Sequence, residues 1–156
     1  MSYATILAAD HPMPELQYQA PELKTIIRRG RTTYEECPVL FILPNGFDLL
    51  KCCCDTRKMY FYFLNFDDLL PSLTTVQTLK AYLSKHLAEG ESVELWGIWE
   101  GEYPNEQREL VFVEDYAKAN RSPIRRTITV EQLSPDDLSL LARGQEEQSV
   151  CITVRR

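Results

Sequence analysis

Residues 124–154 read IRRTITVEQLSPDDLSLLARGQEEQSVCITV, and this stretch decides the fold class. Residues 124–130 alternate apolar and polar side chains, which is typical of a strand with one buried face. A second alternation follows near the end of the chain, at Val150, Ile152 and Val154. Because a helix start signal lies between the two, the stretch predicts a β-α-β unit, whose crossover is right-handed if its strands are parallel.

The helix between these strands has a recognisable start and end. Ser134 is placed to cap its first turn, Pro135 suits the first helical position, and Asp137 stands at the third. Gly144 is of the residue type that most often follows the end of a helix. These residues predict a short helix that begins at Pro135 and ends at Gly144.

Two further helices are predicted upstream. Residues 74–89 carry apolar side chains at spacings of three and four, which places them on one stripe of a helix. The stripe consists of Val76, Leu79, Leu83 and Leu87, and Gly90 follows it. A shorter helix is predicted after Pro21, with Gly30 as its stop. The apolar face of this shorter helix consists of Leu23, Ile26 and Ile27.

Strands account for most of the remaining chain. Residues 2–9 predict one strand, and a three-stranded meander follows. The meander consists of residues 38–44, 47–54 and 59–64. Since its strands are apolar on both sides, we expect both faces of the sheet to be covered. Helices and strands do not alternate regularly, so the sequence predicts a single α+β domain over residues 1–156, with a mostly antiparallel or mixed sheet of short strands and two or three helices.

The overall composition fits an ordinary globular domain. The 156 residues include 17 lysines and arginines against 23 acids, for a net charge of -6, and 44% of them are hydrophobic. An acidic total makes a general nucleic-acid binder an unfavoured class, because phosphate contacts need positive charge. No apolar stretch is long enough to cross a bilayer, and the N-terminus lacks a basic start, so we expect neither a membrane span nor a signal peptide.

Cysteine usage predicts a reducing compartment. The five cysteines are an odd number and three of them are consecutive, which does not suit a secreted disulfide framework. Three consecutive thiols on a strand do not converge on a metal ion, so we interpret them as small apolar residues. The standard nucleotide, zinc and hydrolase motifs are absent from the sequence. We therefore expect a cytoplasmic protein without a cofactor or a metal site.

Negative charge is concentrated in residues 89–115, which we name the acidic segment. It holds nine acids and one basic residue, Arg108, so it carries -8 while the other 129 residues carry +2. The segment also contains both tryptophans, Trp96 and Trp99. Its sequence predicts a hairpin in which residues 92–102 and 107–115 pair.

One face of the first strand of this hairpin is the predicted binding surface. By alternation, it carries four predicted binding residues. These are Glu94, Trp96, Glu100 and Glu102. Acids beside an aromatic ring suit a basic or amphipathic partner. The alternatives are a merely solvated outer face, which is common, and a bulge at Gly97, which would shift the alternation.

Three hypotheses for function follow from these patterns. The leading one is a non-catalytic binding or regulatory domain that contacts a protein partner through the acidic, tryptophan-bearing hairpin. The first alternative is a small metal-independent enzyme using His11 and a thiol, because Asp10 and His11 lie just after a strand, where catalytic groups often occur. Turn formation explains Asp10 and His11 equally well. The second alternative is a homo-oligomeric structural protein joined along an exposed strand.

Arginines cluster at three places in the chain and raise the question of an anion site. The clusters are Arg28, Arg29 and Arg31, then Arg121, Arg125 and Arg126, and finally Arg155 and Arg156. If the clusters converged, they would form a basic patch despite the acidic total. Positive charge at the ends of separate elements needs no such explanation, and we prefer that interpretation.

Overall fold

A computed structural model of the chain describes residues 3–19, 24–28, 31–36, 39–44, 55–66, 72–99, 122–144 and 148–156. Nine strands and two α-helices lie in these ranges. The strands are β1 (Tyr3–Ala9), β2 (Leu16–Gln19), β3 (Lys24–Arg28), β4 (Arg31–Glu36), β5 (Val39–Pro44), β6 (Tyr60–Phe66), β7 (Ser92–Trp99), β8 (Ile124–Thr129) and β9 (Val150–Arg155). The helices are α1 (Leu73–His86) and α2 (Pro135–Arg143), and a 3-10 turn covers Val130–Gln132.

Seven of the strands form one mixed sheet, in the order β2-β5-β6-β1-β7-β9-β8. All neighbours in this sheet are antiparallel except β8 and β9, which are parallel and enclose α2. Strands β3 and β4 form a separate two-stranded sheet. The predicted α+β class, with a mixed sheet and two helices, is therefore confirmed, and so is the β-α-β unit at the end of the chain.

The start of α2 is confirmed to the residue. The backbone N–H of Ser134 donates to the Asp137 carboxylate over 2.9 Å, and the Ser134 hydroxyl accepts from the backbone N–H of Asp137. Pro135 is the first helical residue and Gly144 is the C-cap. Such a cap is worth about 1 kcal/mol. Because it joins residues only three positions apart, it is readable from the sequence.

The helix α1 begins slightly earlier and ends earlier than the predicted residues 74–89. Ser72 is its N-cap, since the Ser72 hydroxyl accepts from the backbone N–H of Thr75 over 3.1 Å. Leu87, the last member of the predicted stripe, is the C-cap. The predicted stripe is buried in full, so the spacing of three and four correctly identified the face that packs on the sheet.

The larger core lies between the two helices and one face of the sheet, which we name the helix face. The helix α1 packs near β5, and α2 packs near β1, β7 and β9. Apolar side chains from inner strands and both helices are fully buried there, among them Leu7, Leu64, Leu79, Leu95, Leu138 and Ile152. At about 1.5–3 kcal/mol for each large apolar side chain, burial in this layer is a major favourable contribution to folding.

The opposite face of the sheet carries a second, smaller cluster, which we name the Trp96 face. Its buried members are Ile6, Ala8, Phe61, Trp96, Ile98 and Cys151. Inner strands such as β1 and β7 thus bury side chains on both faces. For β7 this corrects the prediction that the face of Glu94 and Trp96 is an exposed binding surface, because Trp96 is fully buried. Alternation along β7 is confirmed as well, because Val93 and Leu95 lie on the helix face and Trp96 lies on the other.

The short helix predicted after Pro21 is wrong. Residues 24–28 form strand β3, in which Lys24 lies opposite Glu36 and Ile26 lies opposite Tyr34 of β4. β-Branched residues are stiff in a helix and favoured in strands, and an isolated helix of this length is marginal. The apolar spacing of three was a local coincidence, and pairing with residues 31–36 determined the conformation.

The predicted meander is also wrong in its connectivity. Strand β5 pairs directly with β6, so that Leu40 lies opposite Phe66 and Leu43 lies opposite Phe63. The other edge of β5 pairs with β2. β5 therefore pairs with β6 without another strand between them. Residues 47–54, the predicted middle strand, lie outside the described part of the chain.

Gly97 does not form a bulge. It lies in an uninterrupted register, opposite Thr5 on β1 and Val150 on β9. A Cβ atom at Gly97 would lie 2.8 Å from both the Cα and the carbonyl carbon of Leu141, and closer still to the Leu141 carbonyl oxygen. The glycine is needed because the backbone of α2 approaches the backbone of β7 at this point.

Candidate functional site

Strand β7, which begins the predicted acidic hairpin, is an inner strand of the sheet. Residues 94–99 pair with β1 on one side, and residues 92–97 pair with β9 on the other. No edge of residues 94–97 is left for residues 107–115, so a hairpin with them is not formed over this part of β7. Glu100, Glu102 and residues 107–115 lie outside the described part of the chain.

Trp96 is a core residue whose polar atom has an internal partner. Its side chain is fully buried, and the indole N–H donates to the Glu94 carboxylate over 2.9 Å. The guanidinium carbon of Arg125 lies 5.2 Å from the centroid of the Trp96 ring, within the range of a cation–π contact. Of the four predicted binding residues, Glu94 and Trp96 thus bond to each other inside the chain.

Arg125 connects this ring to a distant part of the chain. Its guanidinium donates to the backbone carbonyl of Asp55 and lies 3.3 Å from the Asp55 carboxylate. The same guanidinium contacts the Cys151 sulfur over 3.7 Å. Glu94 thus bonds to Trp96, Arg125 lies over the Trp96 ring, and Asp55 pairs with Arg125. Together these contacts connect strand β7, strand β8 and residue 55 on the Trp96 face.

Cys151 is not an activated nucleophile. Burial raises the pKa of the Cys151 thiol to about 12, and the nearby Glu94 carboxylate adds to this effect against the opposing influence of Arg125. A reactive cysteine needs a lowered pKa and some exposure, whereas Cys151 is fully buried. The thiol is therefore a neutral, small apolar group, as a free cysteine in a core usually is.

A second polar cluster lies where β1 ends and β7 begins. Lys58 Nζ donates to the Asp10 carboxylate over 2.5 Å and to the backbone carbonyl of Ser92 over 2.8 Å. Its side chain is only 10% exposed, although Asp10 is largely exposed. The lysine therefore ties the loop after β1 to the first residue of β7. Asp10, a weak catalytic candidate in the sequence, is thus the ion-pair partner of Lys58.

His11 lies beside this tie, with both ring nitrogens close to oxygen atoms. Nε2 is 3.2 Å from the Glu91 carboxylate, and Nδ1 is 3.1 Å from the Pro12 carbonyl. The pKa of His11 is raised, chiefly by the Pro12 carbonyl; burial opposes this effect, and the Glu91 carboxylate adds to it. The pKa of Glu91 is lowered, first by the backbone N–H of Ala88 and then by His11.

These contacts favour an imidazolium that donates from both nitrogens. A general base needs a free nitrogen lone pair within reach of the proton it removes, and neither His11 nitrogen is placed for this. Cys151 lies on β9 and on the Trp96 face, opposite Trp96 in the middle of β7. His11 instead contacts Glu91, just before the start of β7. The structure does not bring His11 and Cys151 together. Cys37 and residues 52–54 lie outside the described part of the chain.

Arg125 and Arg126 of the second sequence cluster do not converge, and Arg121 lies outside the described part of the chain. Arg125 binds on the Trp96 face, whereas Arg126 donates to the Asp137 carboxylate on the helix face over 2.8 Å. Arg156 donates to the backbone carbonyl of Leu87 at the end of α1. Each of these three side chains thus has a partner within the chain, at three different places in the fold.

Metal and membrane signals are also absent from the described ranges. Among their side chains, no group of three or more His, Cys, Asp or Glu residues is arranged to hold a metal ion. None of the helices in the same ranges is long and apolar enough to pass through a membrane.

Sequence reasoning missed the residues that organise both polar clusters. Arg125 and Asp55 are 70 positions apart, and Lys58 and Asp10 are 48 apart, so no local pattern connects them. In the sequence, Glu91 is only one acid of the acidic segment, and nothing there indicates its contact with His11. Comparison of the chain with protein-family models, with curated protein sequences and with solved structures found no match.

Proposed function

We propose that the chain is a non-catalytic binding or regulatory domain of the cytoplasm, which recognises a basic surface on a protein partner. The contact is made by the part of the acidic segment that follows β7. The charge concentration carries this proposal, since residues 100–115 contain six acids and one arginine, a net charge of -5. Such a local field steers and orients a partner of opposite charge.

Contacts of the described acids narrow the proposed surface. Glu91 accepts from Ala88 and His11, and Glu94 accepts from Trp96, so both carboxylates serve the chain itself. Glu89, at the same end of β7, is exposed. Trp96 is fully buried, and Glu100 and Glu102 are the nearest acids that follow the strand in sequence. The proposed contact therefore begins after Trp99 and not along the strand itself.

The internal contacts of His11 and Cys151 make the enzyme hypothesis less well supported than binding. An enzyme based on these two residues needs a free imidazole nitrogen and a thiolate within reach of each other. The neutral thiol of Cys151 and the doubly engaged ring of His11 offer neither. A reduced, unpaired Cys151 agrees with the proposed cytoplasmic location.

The test compares two charge-reversal variants of equal net charge. Glu100→Lys/Glu102→Lys alters the proposed surface, and Glu15→Lys/Glu131→Lys alters two exposed acids elsewhere. A partner captured by the wild-type chain from its native extract is identified, purified and titrated against all three proteins by calorimetry. We expect the first variant to weaken binding about tenfold or more and to reduce its dependence on salt, with the second close to wild type.

Equal affinities of the two variants would contradict the proposed surface. The catalytic alternative has its own readout, in which the wild-type chain and His11→Ala are screened with generic hydrolase and thiol-transfer substrates. A turnover that disappears in His11→Ala, while partner binding is retained, would show that the function lies in the loop after β1.

A further inference from the structure

Strands β3 and β4 form a hairpin outside the seven-stranded sheet. In sequence, they lie between β2, which is an edge strand of that sheet, and its partner β5. Among the described elements, β3 and β4 pack chiefly against each other. At one end of the hairpin, Arg28 lies opposite Arg31, and Arg29 and Gly30 connect the two in the chain. We name residues 28–31 the basic tip.

The basic tip concentrates positive charge in a stretch without acids. Three of its four residues are arginines, and residues 25–34 contain no Asp or Glu, so this stretch carries +3. Four further residues of the stretch carry hydroxyl groups, namely Thr25, Thr32, Thr33 and Tyr34. Guanidinium and hydroxyl groups are among the side-chain groups that donate to phosphate oxygens. The acidic total of the chain does not oppose such a contact, because the chain outside residues 89–115 carries +2.

The fold removes the simplest explanation of these arginines. At the end of a helix, positive charge would be stabilised by the helix dipole. Residues 24–28 form a strand instead, and strands have only small net dipoles. The register also places Arg28 directly opposite Arg31, and like charges in opposite positions destabilise a strand pair. Because a two-stranded hairpin has little stability to spare, such an arrangement indicates a contact with an anion.

We propose that the basic tip binds the phosphate backbone of double-stranded DNA. A two-stranded β-ribbon is one of the elements that the major groove of B-DNA admits, since that groove is about 12 Å wide. Arginines close together in the chain match the regular row of charges along a duplex, and each guanidinium can bind a phosphate through two parallel N–H groups. This inference does not depend on the acidic segment, and its test uses the full chain.

The test measures the binding of a labelled DNA duplex of about 20 base pairs by fluorescence anisotropy over a range of salt concentrations. Each phosphate contact contributes about 0.9 to the slope of log K against log salt concentration, so three arginines should give a slope of about −2.7. The affinity should therefore fall about twentyfold between about 50 and 150 mM salt. An RNA duplex should bind more weakly, because its major groove is too narrow for a ribbon.

Three variants locate the contact. Arg28→Gln/Arg29→Gln/Arg31→Gln removes the charge of the basic tip, so it should weaken binding at low salt by about tenfold or more and bring the slope close to zero. Replacing the same three arginines by Lys keeps the charge and should keep most of the slope. The matched control is Arg57→Gln/Lys85→Gln/Arg155→Gln, which removes three exposed positive charges elsewhere and should bind like the wild type.

The Gln variant should be at least as stable as the wild type in thermal unfolding, because it removes the repulsion between residues 28 and 31. Weaker binding is then not a folding defect. Poly-glutamate is added as a competitor at the same charge concentration as the duplex. It should not displace the DNA, because its carboxylates are not held in a regular row.

Four results would overturn the proposal. One is a wild-type chain that does not bind the duplex at low salt, which would leave the arginines as guards of the hairpin edges. Another is a Gln variant that binds as tightly as the wild type. The third is displacement of the duplex by poly-glutamate, which would identify an acidic protein surface as the ligand. The fourth is an RNA duplex that binds as tightly as the DNA duplex.

Discussion

Gly97→Ala tests how closely α2 is seated on β7. The added methyl group would lie 2.8 Å from two backbone carbons of Leu141 and closer still to the Leu141 carbonyl oxygen. Real Cβ atoms essentially never approach other heavy atoms so closely. Because backbone atoms cannot rotate away as a flexible side chain can, either α2 or β7 has to move. β7 is held on both edges, so α2 is the element that would retreat.

Retreat of α2 would weaken the packing of Leu138 and Leu141, which are both fully buried. Overpacking of a core costs about 1–3 kcal/mol, and a backbone-to-backbone clash belongs at the upper end, about 3 kcal/mol. A chain of this size loses about 2–4 °C in Tm for each kcal/mol. We therefore expect the Tm of Gly97→Ala to fall by roughly 6–12 °C.

The same substitution at Gly90 is the matched control. Gly90 has φ of 84°, and a Cβ atom there would have nothing within 4 Å. Its replacement by Ala costs only the strain of a left-handed residue, about 1–2 kcal/mol. Urea unfolding followed by tryptophan fluorescence gives both free energies on one scale. A Gly97→Ala loss equal to or smaller than the Gly90→Ala loss would refute the close approach of α2 to β7.

Two further predictions concern the polar contacts. Asp137→Ala should lower the free energy of unfolding by about 2 kcal/mol, since it removes both the carboxylate of the α2 cap and the partner of Arg126, whereas exposed Asp136→Ala should cost less than about 1 kcal/mol. Equal losses in urea unfolding would contradict the capping role. The Pro12 carbonyl and the Glu91 carboxylate both raise the pKa of His11, so Glu91→Gln should lower that pKa in an NMR titration. A group with a raised pKa stabilises the fold below its ordinary pKa, and this contribution is lost as pH rises through the folded value, so Glu91→Gln should destabilise the chain near pH 6 and little at high pH. An unchanged His11 pKa would show that the pair does not form in solution.

The parts of the fold that were predicted correctly depend on interactions between near neighbours in sequence. The cap of α2 joins residues three apart, and the buried stripe of α1 repeats every three or four residues. Alternation along β7 correctly separated Leu95 from Trp96. In each case the relevant geometry is that of one helical turn or one strand residue, which the sequence displays directly.

The incorrect predictions share a different physical cause. The helix after Pro21 and the meander both assigned residues from local spacing, and both failed because a strand needs a partner. Local turn signals favoured pairing of adjacent segments, whereas β5 pairs with β2 and β6, and β7 pairs with β1 and β9. The choice among such partners depends on the burial gained by the whole sheet, which no single window of sequence reports.

The candidate site shows the same division. By itself, the sequence determined that Glu94 and Trp96 share a face of one strand and that negative charge accumulates around them. Only the tertiary structure decided that this face is buried, that Arg125 stacks on Trp96, and that His11 meets Glu91. The physical reason is that alternation orients a side chain relative to its own strand. Whether that direction leads to solvent or to a core is set by strands and helices far along the chain.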